Sequence, residues 1–321
     1  MRGLDIAEKY FEECGLPMIR SLFPELEARA AFGLVGEGSQ CFGYDDEISR
    51  DHDFGPGFCI WLTDEDFAKY GASLQAAYDK LPSEFMGLSM SNIQDRSRIG
   101  VMTTRGFFQK YLGLTEPPQT NRQWLFLKET TLAICTNGKV FKDDYGEFTA
   151  FREALRAFYP EDILRKKLAA RAAVMSQAGQ YNLLRCLDRG DQVAAMLSLA
   201  KFTEAANSMV YLLNRRYMPF YKWAYHGALN LPKLQTAVQK IGELATIFDG
   251  SKSDRILNSA AIRQRAYELT EEICAQTARE LNAQGFSSSD SNFLQDHLPY
   301  IMEEICDPQI RSLPPIYDYG F

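Results

Sequence analysis

The chain has 321 residues, 46% apolar and 24% charged, which are globular proportions and exclude disorder, collagen and low-complexity arrays. Its 35 Lys and Arg stand against 42 Asp and Glu, a net charge of −7 with a pI near 5.2. That balance argues against an extended nucleic-acid surface or an anionic-membrane surface and leaves room only for a small basic pocket.

At roughly 100–200 residues per domain, the length predicts about two domains. The opening residues, MRGLDIAEKYFEEC, carry acids and lack an apolar core, so no signal peptide is expected. No apolar run approaches the ~18 residues that span a bilayer, so no membrane association is expected and the expected location is the cytoplasm. Leu4, Ala7, Tyr10, Phe11 and Cys14 recur at helical spacing and predict a helix stopped by Gly15 and Pro17. Ala30–Val35 reads as a buried strand entering a tight loop at Gly36-Glu37-Gly38-Ser39, and Phe58–Leu62 as a second strand. Thr63 then has the character of an N-cap, with Asp66 at N3, for a helix whose apolar face is Phe67, Tyr70, Leu74, Ala77 and Leu81.

Ile99–Met102 is a third strand. Trp124–Cys135 is a helix closed by Asn137-Gly138, and Val140-Phe141 precedes a turn at Asp143–Gly146. From about Phe151 onward the pattern is helical, over 160–178, 180–187, 191–216, 233–248, 254–283 and 292–305, with an extended tail from Pro308. This change of class predicts an α+β protein: a small mixed-sheet domain over 1–150, followed by an all-α helical bundle over 151–321. The seven cysteines are scattered and form no CxxC, so neither a zinc site nor a disulfide framework is indicated.

The chemistry-bearing segment runs from Gly38-Ser39, through eleven further residues, to Asp51-His52-Asp53-Phe54. Glycine lets the backbone approach an anion, and its N–H groups with a serine hydroxyl suit phosphate oxygens. Aspartates at i and i+2 on a strand point to one side, where their mutual repulsion favours a hard cation such as Mg²⁺. Such a cation bridges phosphates and neutralises charge developing in phosphoryl transfer.

These residues resemble the signature of the DNA-polymerase-β-like nucleotidyltransferases, a Gly-[Gly/Ser] pair followed after a short spacer by Asp-hydrophobic-[Asp/Glu]-hydrophobic. Gly38, Ser39, Asp51, Asp53 and Phe54 match, while His52 stands at a position that is normally hydrophobic. The plan of a mixed domain followed by a bundle resembles the kanamycin-type branch. Ser49-Arg50-Asp51-His52-Asp53, Tyr159-Pro160-Glu161-Asp162, Gly179-Gln180-Tyr181-Asn182 and Leu212–Trp223 resemble a bacterial group within it. The resemblance implies an NTP, ATP among them, bound by Gly38, Ser39 and Arg50, with Mg²⁺ or Mn²⁺ on Asp51 and Asp53. It implies transfer of a nucleoside monophosphate to a hydroxyl on a small molecule or macromolecule. Active members carry a third carboxylate on a later strand; Arg98–Met102 has none, and Asp95, Glu129, Asp143 and Asp144 are the substitutes the sequence offers. The alternative is a nucleotide-binding regulatory or antitoxin-like protein with weak or no turnover.

In the helical half, Glu204, Ser208, Tyr211 and Arg215 recur at helical spacing opposite an apolar stripe, with Arg216, Tyr221 and Lys222 following. Glu204 is the expected base for the acceptor hydroxyl, and Arg215 and Lys222 the expected anion contacts, in a cleft between the domains. Gln180-Tyr181-Asn182 reads as a polar knot, and His226 and His297 as isolated histidines. Pairing of two chains into a homodimer is left open.

Overall fold

The computed structural model describes residues 2–50, 54–90, 93, 95–247 and 259–318. In chain order the helices are α1 Gly3–Tyr10, α2 Leu16–Leu22, α3 Ser39–Phe42, α4 Asp64–Tyr78, α5 Thr104–Leu112, α6 Asn121–Phe126, α7 Glu129–Thr136 and α8 Glu147–Arg156, followed by α9 Glu161–Met175, α10 Leu184–Asp188, α11 Gln192–Leu213, α12 Tyr221–Ala228, α13 Gln235–Ala245, α14 Ser259–Ala283, α15 Leu298–Glu303 and α16 Pro308–Arg311. The strands are β1 Ala31–Leu34, β2 Cys59–Leu62, β3 Glu84–Phe85, β4 Leu88–Ser89, β5 Gly100–Thr103 and β6 Lys139–Asp143. The protein is thus helix-rich with a small mixed sheet. No helix among the described residues is long and apolar enough to cross a membrane.

The chain divides into two compact units, Met1–Pro118 with Thr131–Ala157, and Gln119–Thr130 with Phe158–Phe321. The first contains the four-stranded sheet, in the order β5-β2-β1-β6. β1 pairs antiparallel with β2 and β6, and β2 pairs parallel with β5. Strand alternation sends Phe32 to one face, against Phe11 at 4.9 Å between ring centroids, where Tyr10, Phe58 and Tyr78 join it. Trp61 turns to the other face and stacks on Phe148 of α8 at 3.8 Å.

The second unit is helical. Its centre is α11, where every residue from Ala205 to Leu213 is buried, packed on α9, α12 and α13. α6 is fixed by a capping box in which the Thr120 side chain accepts from the Gln123 N–H and Gln123 answers to the Thr120 N–H.

Two helix ends read from the sequence are overturned. Gly15 and Pro17 do not stop the first helix, because a π turn over Phe11–Gly15 carries it into α2. There the Leu16 N–H reaches back to the Phe11 carbonyl, and Pro17 falls in the first turn of α2, where its missing donor costs nothing. Gly179 likewise does not separate two helices; a π segment over Ser176–Leu183 joins α9 to α10, and a Cβ on Gly179 would stand 2.2 Å from the Phe202 ring. The tail from Pro308 is not simply extended, since α16 opens it with Asp307 capping the Gln309 and Ile310 N–H groups.

Candidate functional site

The sheet pairing places four chain ends together: the exit of β1 and the entries of β2, β5 and β6, with Gly33 opposite Cys59, Cys59 beside Gly100 and Leu34 opposite Lys139. The loop Gly36–Ser39 leaves β1 at this end. Gly36 has a φ of +154°, open to glycine, and is clasped by Asn137, whose Oδ1 accepts from its N–H at 3.1 Å and whose Nδ2 donates to its carbonyl at 2.7 Å. Gly138 also requires glycine, at φ +62° with any Cβ 2.0 Å from the Leu34 oxygen. Arg152 holds the same corner by donating to the carbonyls of Thr136, Asn137 and Gly138; burial pulls its guanidinium down to about 10.

Gly38 differs from these. Its φ is −65°, and the nearest atom to an added Cβ is Gln40 Cγ at 3.4 Å, so neither dihedral nor packing requires glycine there. Ser39 opens α3 beside it, and both residues are half-buried. Glu37, between the two glycines, meets Arg98 at 3.4 Å, a carboxylate–guanidinium pair that sequence reading missed because the residues are far apart in the chain. The Cys41 and Cys59 thiols are raised by burial, Cys41 to about 12, so neither is a nucleophile near neutral pH.

Asp51, His52 and Asp53 lie outside the described residues, as does the Arg50 side chain. β5 carries no acid. The carboxylates named as substitutes are engaged elsewhere. Asp95 accepts from the Ser97 N–H and hydroxyl and pairs with Arg98 at 3.2 Å. Asp143 accepts from the Gly146 and Thr149 N–H groups, and Asp144 pairs with Lys142. Among the described residues no group of three or more His, Cys, Asp or Glu could hold a metal.

The helical unit corrects the expected polar face of α11. Ser208 and Tyr211 are buried, not solvated; Tyr211 donates to the Ala224 carbonyl at 2.9 Å. Ser208 donates to Glu129 at 2.6 Å and accepts from Arg171 Nε at 2.6 Å. Arg171 also bonds Glu129 at 2.6 Å and Asp318 at 2.5 Å, and Lys167 bonds Asp318 at 3.0 Å. The Asp318 side chain is only 2% exposed. Burial alone would lower Arg171, but Asp318 and Glu129 outweigh it and hold it above its ordinary value. Lys167 is lowered by burial in spite of Asp318. Lys166, also fully buried, donates to the Pro314 and Pro315 carbonyls at 2.5 and 2.9 Å and is lowered by burial to about 8. The sequence did hold a signal for this network: Lys167 and Arg171 sit four apart on one face of an alanine-rich helix whose central turns offer no acid to pair with them.

Glu204 is exposed on α11 and lines a groove of about 770 Å³ with Met196, Leu199, Phe220, Tyr221 and Tyr225. Arg215 and Lys222 do not line it. Arg215 sits just past α11 at φ +52° and pairs with Glu161 at 3.2 Å; the Lys222 ammonium lies 5.6 Å from the Trp223 ring centre. Gln180 is a structural knot, donating to Glu271 and the Asn292 carbonyl and accepting from the Leu294 N–H. His297 is buried between the Ser287 hydroxyl and the Ser291 carbonyl, each at 2.8 Å, and His226 is exposed with its ring edge-on to Trp223.

Residues 124–224, from within α6 to the middle of α12, match the model of a domain of unknown function, DUF4037. No curated protein and no solved structure matches the chain.

Proposed function

We propose that the chain is a Mg²⁺-dependent nucleotidyltransferase-like protein that takes an NTP, ATP among them, at the end of the sheet and passes a nucleoside monophosphate to a hydroxyl acceptor with release of pyrophosphate. The observation that carries this reading is the gathering of the Gly38-Ser39 loop, the entry of β2 and Arg98 at one end of a four-stranded mixed sheet. A glycine at 38 that no packing or dihedral demands supports a backbone kept bare for close approach of a phosphate. The Gly38 and Ser39 N–H groups and the Ser39 hydroxyl are the donors to that phosphate. Asp51 and Asp53 are the proposed metal ligands, since paired hard oxygens suit Mg²⁺ or Mn²⁺ better than softer metals. Arg50, Arg215 and Lys222 are proposed anion contacts and Glu204 a proposed base; to bind a ligand, Arg215 must exchange its pair with Glu161. On this reading the sheet unit is the nucleotidyltransferase-like part, the helical unit follows it, and the protein works in the cytoplasm.

Calorimetry with each of the four NTPs, with and without Mg²⁺, tests the proposal; heat of binding that requires Mg²⁺ is expected. No binding under any condition overturns it. Asp51→Asn with Asp53→Asn should abolish metal-dependent binding and leave the melting temperature unchanged or slightly raised, because like-charge repulsion is removed. A large drop in melting temperature would assign these acids to loop structure instead.

A second reading, nucleotide binding with little turnover, is favoured by one observation: β5 has no acid, and Asp95, Asp143, Asp144 and Glu129 are each committed to other bonds. Mg²⁺-dependent binding without pyrophosphate release across a panel of hydroxyl acceptors would select it.

A further inference from the structure

The groove of about 770 Å³ in the helical unit lies among α11, α12 and the end of α13. Its size falls within the ~300–1,000 Å³ of small-ligand sites. Its walls are mostly apolar and open: Met196 is 61% and Tyr221 74% exposed, with Phe220 and Tyr225 beside them, and Thr130, Thr203 and Asn207 are the neutral polar residues of the lining. Apolar residues exposed singly are ordinary, whereas a contiguous set lining a concavity marks a binding surface. On α11 the residues Met196, Ala200 and Glu204 follow one another at intervals of four, so they share the face that lines the groove.

Glu204 supplies the single charge among the lining residues, and its carboxylate has no hydrogen-bond or ion-pair partner among the described residues. Neither Arg215, which pairs with Glu161, nor Lys222, which lies by the Trp223 ring, lines the groove. Aromatic walls with one carboxylate, in a chain of net charge −7, select a cation with an apolar body. An anionic ligand would face Glu204 directly. Thr130, Thr203 and Asn207 supply a few polar partners in the lining, and a heavily hydroxylated ligand would leave its other hydroxyls against apolar side chains.

We propose that this groove binds a small amine with an aromatic or aliphatic body, its ammonium on Glu204 and its apolar part against Phe220, Tyr221 and Met196. Amine binding here does not require nucleotide, and it would engage the Glu204 carboxylate proposed above as a base.

Full-length protein, without nucleotide, is titrated with phenethylamine, 2-phenylethanol and 3-phenylpropionate by ligand-observed NMR. Phenethylamine should bind roughly fivefold or more tightly than the alcohol, as one partly screened ion pair allows, and the carboxylate should not bind. Glu204→Gln should remove the amine's advantage. Ala200→Trp, at an exposed position on the groove wall, should abolish binding of both the amine and the alcohol. Equal affinity for amine and carboxylate, amine binding unchanged in Glu204→Gln, or tighter binding of a polyhydroxylated polyamine would each overturn the proposal. So would a wild-type dimer in sedimentation that Tyr221→Asp returns to monomer, which would make the groove an interface between copies.

Discussion

Asp318 joins the C-terminal segment to the core of the helical unit, its carboxylate shared between Lys167 and Arg171 in a site closed to water. Removing one member of such a group leaves the others charged and uncompensated, at a cost of about 3–5 kcal/mol. Asp318→Asn should therefore lower the unfolding free energy of the full chain, measured in urea, by that order, and a loss below ~1 kcal/mol would mean the cluster is weakly coupled to the fold. Lys166 gives a separate, pH-dependent expectation. Burial lowers its pKa in the folded chain to about 8, below the ordinary lysine value of 10.5, so between those limits the unfolded chain binds more protons and stability rises with pH. Below about pH 8 the full cost of burying the charge is present. Relative to Lys166→Met, the wild type should gain on the order of 3 kcal/mol between pH 8 and pH 10.5. Urea unfolding of both proteins at the two pH values measures it, and a constant difference would show that Lys166 stays charged throughout.

At the scale of elements, caps were legible and interruptions were not. Thr63 accepts from the Asp66 N–H as its position predicts, because an N-cap is a local bond between residues three apart. Gly15 and Gly179 read as helix stops, yet both lie within continuous helical stretches, where each is small because an aromatic ring from elsewhere comes close: Phe58 to Gly15 and Phe202 to Gly179. Gly179→Ala should destabilise the protein by about 1–3 kcal/mol through overpacking, although alanine is the better helix former. Thermal unfolding checks the sign: a stabilised variant would return Gly179 to an ordinary helix position. α5 and the β3–β4 hairpin were unassigned from sequence; short elements carry too few periods for their pattern to stand out.

For the whole molecule, one compact unit contains the four-stranded sheet and the other is helical, and the chain is not cut between them at one point. Residues 119–130 belong to the helical unit, to which they bring α6 and Glu129, the buried counter-charge of Arg171. A fragment starting at 151 therefore lacks that carboxylate and should show weak near-ultraviolet dichroism and bind a hydrophobic dye. Native-like packing in that fragment would mean that the buried network is dispensable. Composition, periodicity and local turn chemistry by themselves determined an α+β protein, three of the sheet strands, most of the long helices and the Gly38-Ser39 loop leaving a strand, because each depends on residues a few positions apart. Only the tertiary structure decided that Ser208 and Tyr211 lie inside, that Glu37 meets Arg98, and that Glu129, Arg171 and Asp318 form one cluster. Charge and hydroxyl groups look the same in a sequence whether water or a distant segment satisfies them, and only the fold brings residues 129, 171 and 318 within bonding distance.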